Sequence, residues 1–326
     1  MINLIYNEQL KLLRKKRLYV IMVMIFILVS LFTYAQYKQT NELIEKMGHV
    51  NWRVQLQQKI VDTQNRLNST NIPNDFKQTL KIQVSQQQYY LDHNIDPAAP
   101  GAPTFMRIFI ENAISLLLPL LVLVIASDLV SSEYSNGTIK LLLTRPVKRW
   151  KILMSKYFAL LLSISLILFC MALFSYLISG LIFGYNGWSL PMITGFKADG
   201  NTLNTTGAYT IPLWKYVVIE YGLAWFVGVV VGALTLLLSV LIRSTAAVMG
   251  IMLASLIAGA ILVNMVSSWH SAKYLFMLNL QLTHYIHGTN PPITGMTLGF
   301  SLIVLLIWLV ISIIFSFAIF TKQDVY

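Results

Sequence analysis

DLVSSEYSNGTIKLLLTRPVKRWKILMSK, residues Asp128 to Lys156, is polar at its start, apolar in its middle and strongly basic at its end. Long apolar runs lie on both sides of it. Lys140, Arg145, Lys148, Arg149, Lys151 and Lys156 make it one of the two densest positive clusters in the chain. If the flanking runs cross a bilayer, that charge places the segment in the cytoplasm. A loop there with its own short helix can receive a push from a soluble partner.

The internal order of residues predicts short helices. The hydroxyls of Ser131 and Ser132 can cap a helix start by accepting bonds from unpaired backbone N–H groups. Glu133 then falls in the first turn, where negative charge suits the helix dipole. Gly137 permits a sharp change of direction. Thr138 can cap a second short helix carrying Ile139, Leu141, Leu142 and Leu143, which Pro146 stops. A third helix restarts near Lys148 and enters the membrane, with Trp150 at headgroup level.

Those residues carry a resemblance. Glu133, Gly137-Thr138, Leu141-Leu142-Leu143, Arg145-Pro146-Val147, Arg149 and Lys156 look like the signature loop of ABC-2 type permeases, the membrane subunits of many bacterial ABC exporters. The match covers about thirty residues, and the rest of the chain resembles the family in layout. In that family the loop after the second span holds a coupling helix that docks on the ATPase. The resemblance assigns docking to Glu133, Asn136, Gly137, Thr138, Leu142, Arg145, Pro146 and Arg149.

Composition agrees with a membrane protein. The chain has 326 residues, 56% of them hydrophobic and only 11% charged, too apolar for a soluble surface. The net charge of +11 suggests nucleic acid at first sight. Its distribution argues against that partner, because many of the basic residues abut apolar spans. Cys170 is the single cysteine, so no disulfide within the chain and no CxxC pair can form.

The expected architecture is all-α and integral to a membrane, with about six transmembrane helices. Residues 1–17 read as an amphipathic elbow helix, with Ile2, Ile5, Tyr6, Leu12 and Leu13 near one face and a basic end for anionic headgroups. Residues 18–37 form the first span, too long an apolar run for an ordinary signal peptide. The polar, Gln- and Asn-rich residues 38–105 read as an extracytoplasmic helical hairpin, broken at Asn68 to Asp75 by Pro73. The second span covers 108–130, with Pro119 as a kink. The cytoplasmic coupling loop is 131–154, the third span 155–184 and a polar outer loop 185–212. The fourth span, 213–242, holds Gly228 and Gly232 at a spacing that lets helices approach closely. The fifth span, 246–267, stacks Gly250, Ala254 and Ala258 on one face. Residues 268–296 are too broken to span and read as an outer re-entrant segment; 297–320 is the last span and 321–326 a cytoplasmic tail. Basic residues concentrate on the segments assigned to the inside, so both termini are expected in the cytoplasm of a bacterial plasma membrane.

The chemistry-bearing residues are sparse. No GxxxxGK[ST] loop, HExxH or GxSxG is present, so neither a P-loop site for ATP nor catalysis of those types is expected in this chain. His270, His284 and His287 read as polar loop histidines, and no metal is expected. Carboxylates within spans are costly and often functional, which singles out Glu111 and Glu220, with Asn112 and Asn264, as pathway or gating candidates. The resemblance implies no cofactor in this chain, with ATP and Mg in two copies of a soluble ABC ATPase subunit. It also implies a second permease copy or a homologous permease, and a hydrophobic or amphipathic cargo, such as a peptide antibiotic, lipid or drug. The other readings are an ion-coupled secondary transporter or channel using Glu111 and Glu220, and a membrane antibiotic sensor.

Overall fold

The computed structural model describes residues 1–47, 51–69, 74–139, 147–199, 202–263, 265, 269–293 and 295–322. Six helices are long and apolar enough to cross a membrane: Arg17–Glu42, Leu117–Ser135, Arg149–Phe183, Leu213–Leu241, Thr245–Leu262 and Leu298–Lys322. With little sheet besides, the chain is an all-α, multi-pass membrane protein.

Helix α1, Ile2–Arg14, precedes the first span. It buries Leu12 and Glu8, whereas Ile2 and Tyr6 point away from the protein. Lys16 adopts a positive φ of 57° and turns the chain into α2, Arg17–Met47. This helix continues without a break past its apolar part, because residues 38–47 contain no helix breaker. Helices α3, Trp52–Leu67, and α4, Asn74–Asp92, pack together as the expected hairpin.

Helix α5, Ala102–Ala113, precedes the second crossing, Leu117–Ser135, which is built of α6, Leu117–Ala126, and α7, Asp128–Ser135. The sequence points to Pro119 as the kink, and the helix is interrupted at residues 114–116, just before it. Pro119 is the third residue of α6, where its missing N–H has no intrahelical acceptor to lose. The one-residue interruption at Ser127 is of a different kind. The Ser239 hydroxyl accepts from Val130 N at 3.2 Å and Ser131 N at 2.8 Å, and donates to Ser127 O at 2.9 Å. The hydroxyl of another helix thus joins the backbone ladder at Ser127, whose dihedrals stay helical at φ −60° and ψ −29°. Ser131 and Ser132 therefore sit inside a helix rather than capping one. Their hydroxyls donate back to Ser127 O and Asp128 O.

Gly137 does take a left-handed φ of 68° and ends α7. The second short helix expected from Thr138 falls mostly on Lys140 to Pro146, outside the described residues. Helix α8, Arg149–Phe183, starts directly after Lys148, with no side-chain cap. Its 35 residues reach about 52 Å at 1.5 Å per residue, so it projects beyond a bilayer core.

Residues 185–212 hold short strands that sequence reasoning leaves as loop. Strand β1, Pro191–Thr194, pairs antiparallel with β4, Tyr209–Pro212, and β2, Lys197–Asp199, with β3, Thr202–Asn204. Ile193 and Phe196 pack against Leu56, Tyr90 and Ile95, which joins this sheet to the hairpin.

Helix α9, Leu213–Leu241, is central and touches α5, α6, α7 and α8. A Cβ placed on Gly232 would lie 3.1–3.2 Å from Leu160, Ile164 and Val122, so the small-residue pair lets α9 seat against α6 and α8 of its own chain. Helix α10, Thr245–Leu262, turns Gly250 and Ala254 outward. Two 3₁₀ turns, His270–Tyr274 and Phe276–Asn279, and the short α11, Thr283–His287, lead to α12, Leu298–Lys322. Asn279 holds this segment by donating to Lys273 O and Leu275 O, both at 2.8 Å.

Candidate functional site

Two buried charged clusters occupy opposite ends of the bundle. The first joins α1 to the flanks of the central loop. Lys156 of α8 is fully buried, and its Nζ meets Glu8 Oε2 at 2.9 Å, Glu133 Oε1 at 2.9 Å and Leu129 O at 2.7 Å. Three donors thus find three acceptors. Lys11 closes the ring, 2.7 Å from Glu8 Oε1 and 2.9 Å from Glu133 Oε1. Beside it, buried Asp128 takes Lys15 at 2.6 Å and Arg17 at 3.1 Å. Gln9 donates to Ala159 O at 2.7 Å. Helices α1, α7 and α8 are therefore one electrostatically locked unit. Next to it a cleft of 270 Å³ opens between α1 and the start of α8, lined by Leu4, Asn7, Arg14, Val147 and Ile152 among others.

The residues assigned to docking divide. Glu133 is turned inward into the ring, and its Oε2 has no hydrogen-bond partner among the described residues. Asn136, Gly137 and Thr138 form an exposed tip. Arg149 is half-buried and donates to Thr321 O at 3.4 Å. Leu142, Arg145 and Pro146 lie outside the described residues. Sequence reasoning missed Glu8 and Asp128, since their partners lie far away along the chain.

The ring also fixes protonation. Burial pushes the Glu8 carboxyl up, but Lys156 and Lys11 outweigh it and hold the group below the ordinary 4.5. Burial likewise pushes Lys11 down, and Glu133 with Glu8 overcome this and hold it above 10.5. A depressed carboxyl contributes stability above its unfolded value and loses it as pH falls through the folded one. A raised amine contributes below its unfolded value and loses it as pH rises through the folded one. The attachment of α1 is thus constant through neutral pH and weakens on acidification below the carboxylate range. A fluorophore on Asn7→Cys, in a Cys170→Ser background, should become more accessible to a collisional quencher below that range; equal quenching at pH 7 and pH 3 would remove the ring from the account of α1.

The second cluster lies at the hairpin end. Glu111 of α5, Glu220 of α9 and His287 of α11 place one ligand atom each within 4.8 Å of one another. His287 Nε2 stands 3.2 Å from both Glu111 Oε2 and Glu220 Oε1. Arg107 reaches the same Glu111 oxygen at 3.5 Å and also donates to Pro97 O at 3.3 Å. The hairpin clasps this corner, because Gln86 donates to His287 O at 2.6 Å and Gly288 O at 3.0 Å. Gly288 has φ of 68°, and a Cβ there would meet Phe196 Cβ at 2.3 Å, so the sheet closes on this turn only over a glycine. The structure brings Glu111 and Glu220 together but leaves Asn112 exposed, donating to its own helix at Ile108 O. Asn264 lies outside the described residues. Arg107, four residues before Glu111, is a partner that the sequence offers, together with Lys215; His287 is the member that it does not connect to the carboxylates, since Glu220 and His287 are 67 residues apart.

Comparison with known proteins settles the family. The family described as "Protein of unknown function (DUF2705)" matches residues 76–326. The chain belongs to this family. The uncharacterized protein YhcI of Bacillus subtilis (strain 168) is 28% identical over 327 residues, covering 100% of this chain and 99% of YhcI. The uncharacterized membrane protein YdbK of the same organism is 31% identical over 215 residues, covering 65% of this chain and 80% of YdbK.

These matches overturn the resemblance to ABC-2 type permeases, because a different family accounts for most of the chain. The physical reason is that the loop signature is generic. Any short helical turn between two spans needs small polar residues, a glycine in left-handed conformation, a few leucines, a proline stop and basic residues at the interface. Its best-placed member, Glu133, serves the internal ring instead.

Proposed function

We propose that this chain is the membrane-embedded subunit of an ATP-driven export complex, moved by a separate soluble ATPase. The α1 end faces the cytoplasm of a bacterial plasma membrane, and the hairpin end faces outward. The ATPase docks at the tip formed by Asn136, Gly137 and Thr138 and along the cleft beside α1. The single observation that carries this reading is the ring of Glu8, Lys11, Glu133 and Lys156. It makes α1, α7 and α8 respond as one body to a push on the loop between α7 and α8. A loop that merely connected two spans would need no such bracing.

The chain has no P-loop sequence, so the energy is supplied by the partner, with ATP and Mg bound there. Two ATPase copies act on two copies of this chain. Cargo is hydrophobic or amphipathic and passes along α2, the α6–α7 crossing and α10, whose large apolar side chains Phe26, Ile27, Ile251 and Ile257 are exposed.

The test is purification of the full chain from its native membrane in mild detergent. An ATP-hydrolysing protein should be retained, and Thr138→Trp at the exposed tip should remove it, while Asn112→Trp at the hairpin end should not. Cleavage of the 136–149 segment by protease added to intact cells would sink the proposal. Retention of the ATPase undiminished by Thr138→Trp would remove the tip as its seat.

A further inference from the structure

We propose that Glu111, Glu220 and His287 form a binding site for a divalent transition metal of the zinc type, which locks the hairpin end of the bundle. The inference is independent of the docking partner and goes beyond the transport reading.

The argument starts from an imbalance of protons. His287 Nε2 stands 3.2 Å from both Glu111 Oε2 and Glu220 Oε1, while the Tyr216 hydroxyl, which brings its own proton, lies 3.0 Å from Nδ1 and 3.2 Å from Nε2. One ring N–H can serve one acceptor well. Charge-assisted bonds of this type also close to about 2.7–2.9 Å, shorter than either carboxylate contact. Glu220 is fully buried, and its second oxygen has no hydrogen-bond partner among the described residues. A proton-based network would leave this corner under-satisfied, at the cost that buried unpaired charge carries.

A metal ion answers the same geometry. With bonds of 2.0–2.1 Å, the edge between two ligands of a tetrahedral site is about 3.3 Å. The 3.2 Å spacing from Nε2 to each carboxylate oxygen matches that edge. Two carboxylates neutralise a divalent charge, neutral imidazole gives the third ligand, and water the fourth. Arg107, 3.5 Å from Glu111, lowers affinity for every cation. It thereby favours an ion that imidazole binds strongly over sodium, magnesium or calcium.

The ligands come from α5, α9 and α11. The ion would therefore fix the 283–287 segment to two membrane helices, and through Gln86 it would hold the hairpin as well.

The experiment uses the full chain in nanodiscs, stripped with EDTA and dialysed against limiting Zn²⁺. One zinc per chain should be retained and the thermal midpoint should rise. Glu111→Gln, the mildest change at a half-buried position, should weaken retention at least tenfold, and His287→Ala should abolish it. Co²⁺ in place of zinc should give the visible absorption of a tetrahedral nitrogen and oxygen field in the wild type alone. No stoichiometric zinc in the folded wild type, or equal retention by folded Glu111→Gln and His287→Ala, overturns the proposal.

Discussion

Replacing Lys156 with methionine should destabilise the folded protein by about 3–5 kcal/mol, the usual effect of removing one partner from a buried ion pair. Methionine keeps most of the volume, so packing is not the source. Lys156 is fully buried and sits between two carboxylates, Glu8 and Glu133. Without it, Lys11 alone faces both, and the Leu129 carbonyl loses its donor at 2.7 Å. Two negative groups then share one half-exposed amine in an apolar setting. The measurement is denaturant unfolding in micelles followed by tryptophan fluorescence. Adding Glu133→Gln to Lys156→Met should recover part of the loss, because it removes the surplus negative charge, and the double-mutant cycle should show that coupling. A Lys156→Met protein within about 1 kcal/mol of the wild type would mean that water already enters the ring.

The membrane layout was legible because it rests on local composition. Runs such as Leu18 to Tyr37 carry no charge, and length alone identifies them. The hairpin was legible for a similar reason, since NSTNIPND interrupts two helical stretches. What the sequence hid depends on residues distant along the chain. The one-residue interruption at Ser127 is filled by the Ser239 hydroxyl, and no local pattern marks it. Strand β1 has three consecutive buried residues, so the alternation that identifies a strand is absent. Glu111 and Glu220 stood out as carboxylates in apolar surroundings, yet their meeting at His287 required the folded chain. The loop signature failed in the opposite way. It was locally rich, but its residue types answer to turn geometry and interface charge, which many unrelated membrane proteins share.

The two buried clusters also differ in kind. At the α1 end, the three amines Lys11, Lys15 and Lys156 are satisfied by neighbouring carboxylates, with Arg17 beside them. That part of the basic charge is therefore structural as well as topological. At the hairpin end, two carboxylates face one imidazole nitrogen. The first arrangement ties three helices together, and the second sets two carboxylates against one imidazole.

Ser239→Ala should have the second large effect, about 2 kcal/mol or more in unfolding stability, together with a change in the direction of α7. The Ser239 hydroxyl is buried and makes three bonds at the Ser127 interruption, to Val130 N, Ser131 N and Ser127 O. Alanine leaves two N–H groups without an acceptor in an apolar interior, and each orphaned buried donor costs about 1–3 kcal/mol. The helix can recover part of this by closing its own ladder through Ser127. That relief shifts the Asn136 tip relative to the start of α10, which the Ser131 hydroxyl now meets at Thr245 Oγ1, 2.9 Å away. Spin labels on Asn136 and Ser244 should report a shifted, broader distance in Ser239→Ala. Ser239→Thr, which keeps the hydroxyl, should report the wild-type one. Unchanged stability and distance in the alanine variant would show that the interruption is intrinsic to the α6–α7 sequence, and that α9 does not set the angle at which a push on the tip enters the membrane.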